Sequence, residues 1–187
     1  TLVAALRLAA DGPADNRTDK VRPIPPPGVA IPEEARRELT AGVAKLAADI
    51  ESLRTDLAKK PVLLARLPDV QIFHKAVDWA LRYDEFFSTN EVQAARTELE
   101  QAGQRIAALR EGRTPWTAQA GPVALGYLSR IDGSVQPYGV IVPQSYDGAT
   151  PMRLDIVLHG SSKPGGMSEL KFIARFDEDD AATVWDL

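Results

Sequence analysis

The residues with the clearest chemical potential follow a short apolar run near the end of the sequence. Residues 152–158 read MRLDIVL, and His159, Gly160 and Ser161 come directly after them. A short apolar run rich in branched residues is typical of a strand buried on both faces. Glycine lets the backbone turn sharply where such a strand ends. Backbone N–H groups at that point can stabilise the oxyanion of an acyl-transfer reaction, so His159, Gly160 and Ser161 form the candidate site.

Other reaction chemistries find little support. The sequence contains no Gly-x-Ser-x-Gly motif, phosphate-binding loop, dinucleotide-binding glycine motif or zinc-binding His-Glu-x-x-His motif. It has no cysteine and only two histidines, His74 and His159, which excludes thiolate and multi-histidine metal sites. Ser161 and Ser162 have no nearby base with an orienting acid, so neither is expected to be a nucleophile. We therefore expect no metal and no organic cofactor.

Three further features each allow a functional and a structural interpretation. His74 lies in a helical stretch, where a surface or interhelix position is expected because no second metal ligand is available. Trp79, Tyr83, Phe86 and Phe87 recur at helical spacing, which favours core packing but also suits a docking surface. The acidic run at 177–180 suits a solvated turn better than a cation site.

Composition sets the broad class. The 187 residues are 44% hydrophobic and 26% charged, which is typical of a folded domain. A formal net charge of −4 gives no electrostatic reason to expect nucleic acid or an anionic membrane as partner. No segment approaches the ~20 apolar residues of a membrane span. Residues 1–10 suit either a signal-peptide remnant, which predicts an exported, periplasmic or extracellular protein, or a frayed apolar start.

The N-terminal half is predicted to be helical. Residues 1–31 combine the apolar start with a proline-rich linker, better suited to a spacer than to a peptide ligand. A helix then opens at Pro32 and carries apolar residues at steps of four and three, up to Pro61. A second helix is expected over residues 69–87. A third follows over 88–112, with the capping-box spacing of Ser88 and Glu91 at its start. Residues 32–112 thus predict a three-helix bundle or hairpin.

The C-terminal part is predicted to be extended. After a hinge at 113–122, two strands at 123–131 and 135–143 flank an Asp-Gly turn and suit a hairpin. The strand at 152–158 and a short helix at 168–176 follow. Ser168 suits a cap for that helix, and Leu170, Ile173 and Ala174 suit a face toward the sheet. A strand buried on both faces needs neighbours at both edges. The predicted class is α+β, a helical bundle followed by the opening strands of a larger sheet, which either a continuing chain or a partner completes.

Several segments together resemble a known family. They read DVQIFHKAVDWALRYDEFF, TPW, GYLSRIDGSVQPYGVIVPQSYD, RLDIVLHG and SELKFI, and they span more than half of the chain. In this order they resemble the N-terminal part of bacterial prolyl-oligopeptidase-like α/β-hydrolases, which are often exported. The loop after LHG departs from the family's arginine- and glutamate-containing turn, since it reads SSKPGG here.

The resemblance implies the N-terminal portion of a serine esterase or peptidase. The opening strands of residues 123–187 would belong to a truncated α/β-hydrolase sheet. His159, Gly160 and Ser161 would line the oxyanion hole, and the triad would lie beyond Leu187. Such a chain would be inactive alone, would need the rest of the hydrolase domain, and would act on an ester or peptide substrate. Two alternatives stay open: a non-catalytic helical interaction module with a small β appendage, and a regulatory helical part that caps a hydrolase site.

Overall fold

The computed structural model describes residues 28–158 and 168–176, and within them the fold is mixed α+β, as predicted. Three long helices form the N-terminal part, and each packs against the other two. A two-stranded antiparallel sheet and a short helix follow. The elements in chain order are α1 (Glu33–Asp56), α2 (Pro61–Leu64), α3 (Pro68–Arg82), α4 (Glu91–Arg110), a 3-10 turn (Pro115–Thr117), β1 (Gly121–Leu128), β2 (Val135–Val142) and α5 (Glu169–Ala174).

The apolar seam predicted for the first helix is the part of α1 that enters the core. Its members are all buried: Leu39, Val43, Leu46, Ile50, Leu53 and Leu57. Pro32 precedes the helix, and Glu33 and Glu34 lie in its first turn, where negative charge interacts favourably with the helix dipole. The helix ends before Pro61, which begins the four-residue α2. The periodicity thus predicted both the helix and its buried face.

The start of α4 differs in detail from the predicted capping box. Asn90, not Ser88, is the N-cap residue, and no side chain caps the helix there. Glu91 does reach back, and its carboxylate accepts a hydrogen bond of 2.7 Å from the N–H of Phe87. The donor is thus Phe87 and not Ser88, so the reciprocal bonds of the predicted capping box do not form. The helix begins late because the backbone of Ser88 to Asn90 already forms a turn of its own.

The predicted hairpin is confirmed. β1 and β2 pair antiparallel in a register that runs from Gly121–Val142 to Leu128–Val135. At the turn between them, Gly133 has a φ of 72°, a conformation that favours glycine. The carboxylate of Asp132 accepts hydrogen bonds from the N–H and the hydroxyl of Ser134. The hairpin packs against α3, which contacts both strands.

The predicted third strand is wrong for the described residues. Residues 151–158 form no strand, and the whole stretch is exposed. Leu154 is 80% exposed, Ile156 78% and Leu158 91%. The apolar run does suit a buried strand, but no neighbouring strand among the described residues pairs with it. A strand is a product of pairing, so the pattern alone cannot make one.

The last helix, α5, closes the core after this exposed stretch. Ser168 caps it as predicted, since its hydroxyl accepts a hydrogen bond from the N–H of Lys171. Leu170 and Ile173 are fully buried. They were expected to face the sheet, but α5 lies mainly against α3 and α4 and only touches β2. None of the helices in the described part of the chain is long and apolar enough to cross a bilayer.

Candidate functional site

The predicted oxyanion residues lie outside the described residues. His159, Gly160 and Ser161 fall between Leu158 and Ser168, the two described residues that flank this segment. The acidic run at 177–180 and the apolar start at 1–10 also fall outside. The structure therefore locates the two flanks of the candidate loop but not the loop itself, and the oxyanion assignment stays a prediction.

The flank before the candidate loop is unusually apolar for an exposed segment. We call residues 152–158 the apolar strip. Its exposed apolar members are Met152, Leu154, Ile156, Val157 and Leu158. Arg153 and Asp155 pair with each other at 2.8 Å and alternate with the apolar positions. Contiguous exposed apolar surface marks a site that another surface covers.

Both edges of the two-stranded sheet carry outward backbone groups, and side chains bond some of them. Gly126 of β1 is paired with Pro137 of β2. Gly126 donates its N–H to Asp69 at 2.9 Å instead of to β2, and Pro137 has no N–H to donate. The pair is therefore one of the non-hydrogen-bonded pairs of the ladder, whose backbone groups point outward.

Such pairs alternate with hydrogen-bonded pairs along the ladder, so further backbone groups of β2 point outward. We call Gly139 and Ile141 the open edge of β2. Gly139 and Ile141 stand two and four residues after Pro137, so their N–H and C=O groups also point away from β1. Within residues 28–158 and 168–176, these groups make no hydrogen bond. On the edge of β1, Asp69 accepts a hydrogen bond from the N–H of Gly126, and Gln119 donates to the carbonyl of Pro122 at 3.2 Å.

A buried polar cluster contacts the edge of β1 at Gly126. The carboxyl group of Asp69, only 2% exposed, accepts hydrogen bonds from Gly126 and from the indole N–H of Trp116 at 3.0 Å. Arg105 of α4 donates to the backbone carbonyl of Asp69 at 2.7 Å. Its guanidinium lies 4.7 Å from the ring centroid of Phe73 and 5.1 Å from that of Trp116. The two groups that bond the Asp69 carboxyl group, the N–H of Gly126 and the indole N–H of Trp116, therefore connect elements of the fold.

A second polar cluster lies between α3, β2 and α5. The ammonium of Lys75 donates to the carbonyl of Val135 at 2.8 Å and to Glu169 at 2.6 Å. It also lies 4.2 Å from the ring centroid of Trp79. Burial raises the pKa of Glu169, and Lys75 partly opposes this shift. Burial and the charge of Glu169 also raise the pKa of Glu85. The cluster ties three elements together.

His74 lies on α3, half-buried, as the sequence analysis expected. Burial lowers its pKa, opposed by the negative charge of Asp78. The aromatic cluster is divided between core and surface. Phe86 is fully buried, whereas Trp79 is 39% and Tyr83 56% exposed, and these two rings meet edge to face. Core packing therefore holds for Phe86, while a docking role for Trp79 and Tyr83 stays a prediction.

Two open grooves flank β1. One of about 350 Å³ lies at the corner of α2 and α3, and its apolar lining is Leu64, Leu67, Pro68, Tyr127 and Leu128. The other, of about 250 Å³, is lined by Gln101, Gln104, Arg105, Trp116, Gln119 and Phe176, among others. Neither is lined by an aspartate, glutamate, histidine or serine. In the described part of the chain, no group of three such acidic or histidine ligands could hold a metal ion.

The sequence analysis missed the Asp69 cluster. Asp69 and Trp116 both lie in segments that carry the family resemblance, but no role followed from them. The available signals were an aspartate in the first turn of a helix and an isolated tryptophan after a proline. Neither signal names its partner, because Asp69 and Trp116 are 47 positions apart and meet only in the fold. The chain matches no family model, and no curated protein or solved structure is significantly similar to it.

Proposed function

We propose that this chain is the N-terminal part of a serine hydrolase, an esterase or peptidase, whose nucleophile lies outside these 187 residues. One observation supports the proposal most: a hairpin with an open edge on β2 is followed by an apolar strip that has no partner among the described residues. A hairpin and strip of this kind are what the first strands of a larger sheet look like before further strands pair with them.

The physical argument concerns burial. Removing apolar surface from water stabilises a protein by roughly 25 cal/mol per Å². A strip that exposes most of Leu154, Ile156 and Leu158 forgoes that stabilisation. Pairing within a sheet covered by helices would bury these side chains and satisfy backbone groups of the kind left open on Gly139 and Ile141.

The resemblance supplies the chemistry of this proposal. The strip leads into His159, Gly160 and Ser161, whose backbone N–H groups would stabilise a tetrahedral oxyanion. His159 would shape that loop, since the triad histidine of such enzymes follows the serine in the chain. Export of the native protein belongs to the same proposal and depends on residues 1–10.

Reading the coding region past the codon for Leu187 tests the proposal first. An open frame that encodes a Gly-x-Ser-x-Gly motif, then an acid and a histidine, is the expected result. A fluorophosphonate should then label that serine in the native gene product and leave chain 1–187 unlabelled. A stop codon directly after Leu187 would overturn the proposal, and so would a folded native product that takes no label.

A second candidate is a non-catalytic interaction module, and the helical part favours it. α1, α3 and α4 bury their apolar faces against one another, and α5 adds Leu170 and Ile173 to the same core. This core needs no further strand. The coding region separates the two candidates, because the module has no use for a downstream serine motif.

A further inference from the structure

We infer that the helical part and the hairpin form one cooperative body, and that α3 makes it so by holding both edges of the hairpin. Asp69 holds the edge of β1 and Lys75 holds the edge of β2. Both are positioning residues in this account. The inference depends on these contacts alone and stands whether or not the chain is part of a hydrolase.

The grip at β1 is a buried one. The Asp69 carboxyl group takes the outward N–H of Gly126 and the indole N–H of Trp116, which follows α4 in the chain. Without these two bonds the carboxyl group of Asp69, which is 2% exposed, would lack its donors, and a buried charged group without partners is costly. Arg105 adds a bond from α4 to the same turn of α3.

The backbones also meet closely at this point. A side chain at Gly126 would collide with the carbonyl oxygen of Pro68 and lie 2.8 Å from a methyl carbon of Ile72. Such an approach leaves no room for a layer of water or for sliding. α3 therefore lies directly on β1 at Gly126.

The grip at β2 is six residues further along α3. Val135 is paired with Leu128, and this pair has the same outward geometry as Gly126 and Pro137. Its carbonyl accepts a hydrogen bond from Lys75, whose side chain is 11% exposed. Six helical residues rise about 9 Å, which matches the width of a two-stranded ribbon with its outward groups. The helix thus crosses the hairpin from edge to edge.

The segment before β1 is the place where a hinge was expected. Residues 113–122 contain the 3-10 turn with Trp116, which is 5% exposed and bonded to Asp69. A swing about this segment would break that bond and both edge grips at once. One consequence rests on the proposed hydrolase function. In that enzyme, the helical part moves together with the sheet and does not act as a separate lid over the site.

Native-state hydrogen exchange on chain 1–187 tests the inference. The slowest amides of β1 and β2 should exchange with the same protection as those of α3 and α4, within about threefold. A hairpin that exchanges a hundredfold faster than the helices would overturn the inference. This result is independent of the coding region, so it distinguishes failure here from failure of the hydrolase proposal.

Variants locate the coupling. The most direct change, Asp69→Asn, endangers folding, so we use the double variant Trp116→Phe with Lys75→Met. It removes the indole bond to Asp69 and the ammonium bonds to Val135 and Glu169. We expect hairpin exchange to rise at least tenfold more than exchange in α1. Lys45→Met is the matched control, since the ammonium of Lys45 pairs with Asp49 on the exposed face of α1, and it should leave the ratio unchanged. Equal acceleration of hairpin and α1 in the double variant would show that the coupling lies elsewhere.

Discussion

Asp69 shows how much one buried carboxyl group can determine. It is the second residue of α3, where the positive end of the helix dipole favours an acceptor. Its two oxygens receive one donor from β1 and one from the 3-10 turn. No other side chain among the described residues joins these three elements through hydrogen bonds. The consequence is that a single atom replacement at this position should disturb more than one element.

Asp69→Asn should lower the free energy of unfolding by about 2–3 kcal/mol, because the amide NH₂ would face a donor that then has no acceptor. Urea unfolding measures this change. Asp56→Asn is the matched control: Asp56 is about half exposed and only weakly paired with Arg110, so a change within about 0.5 kcal/mol is expected. Equal effects of the two substitutions would contradict the structural role of Asp69.

His74 gives stability a pH dependence of known sign. Because burial lowers its pKa below 6.5, the unfolded chain binds this proton more tightly than the folded protein does. The contribution of His74 is fully present above pH 6.5 and is lost as pH falls from 6.5 through the lower pKa of the folded protein. His74→Gln should therefore flatten the loss of stability between pH 8 and pH 5.5. An unchanged slope in the variant would assign the loss to other groups.

Glu169 and Glu85 act in the opposite direction. Burial raises both pKa values above 4.5, so the folded protein binds these protons more tightly than the unfolded chain. Their contribution is present below pH 4.5 and is lost as pH rises through the folded pKa values. Comparing His74→Gln with the unsubstituted chain at the same pH separates the contribution of these two glutamates from that of His74.

At the scale of elements, the docking of α5 depends on one glycine-sized space and a small apolar face. The ring of Phe176, which follows α5, packs directly on Gly139 of β2. A β-carbon at Gly139 would fall inside that ring. The Phe176 ring also packs against Phe172, with the centroids 5.2 Å apart. The short helix is thus seated on β2 as well as in the helical core.

Gly139→Ala should destabilise the protein by about 1–3 kcal/mol, since the ring must leave its seat. The same substitution in a Phe176→Ala background should cost less, because the space is then free, and a double-mutant cycle measures the difference. Gly103→Ala is the matched control. Nothing lies within 4 Å of its added carbon in α4, so it should stabilise by about 0.5–1 kcal/mol. Additive effects in the cycle would refute the predicted seat.

At the scale of the whole molecule, the apolar strip is the feature that the described fold leaves unused. It leaves β2 after an exposed turn in which Asp147 accepts hydrogen bonds from the N–H groups of Ala149 and Thr150. These bonds hold the pKa of Asp147 below its usual range. Neither the helical core nor the hairpin covers the strip. In the proposed hydrolase, further strands would pair with it.

Ile156→Asp tests that view. In chain 1–187 the change should alter the free energy of unfolding by less than about 0.5 kcal/mol, because Ile156 is 78% exposed. In the native gene product it should abolish folding or fluorophosphonate labelling, because a charge would be buried in the proposed sheet. Val62→Asp is the matched control at equal exposure on α2, and both proteins should tolerate it. A native product that tolerates Ile156→Asp would leave the strip without a place in a sheet.

Local patterns were enough for the helices and the hairpin. The seam of α1, the Asp132-Gly133 turn and the Ser168 cap all depend on residues a few positions apart, and such interactions are encoded locally. The boundaries shifted where local signals competed, as at the start of α4. The α+β class followed from these elements alone, while the domain boundaries and the oxyanion role of His159, Gly160 and Ser161 stay predictions.

The sequence by itself therefore determined the three long helices, which two strands pair, and which faces are apolar. It did not predict the four-residue α2, and α3 ends at Arg82 and not at the predicted residue 87. Only the tertiary structure decided where the buried polar groups find partners. Asp69 meets Trp116 and Gly126, and Lys75 meets Val135 and Glu169, across separations of 47 to 94 positions. It also decided that residues 152–158 form no strand, since a strand requires a neighbour that pattern cannot supply. The physical reason is the same in both cases: hydrogen bonds between distant segments depend on placement, and a local pattern carries no information about it.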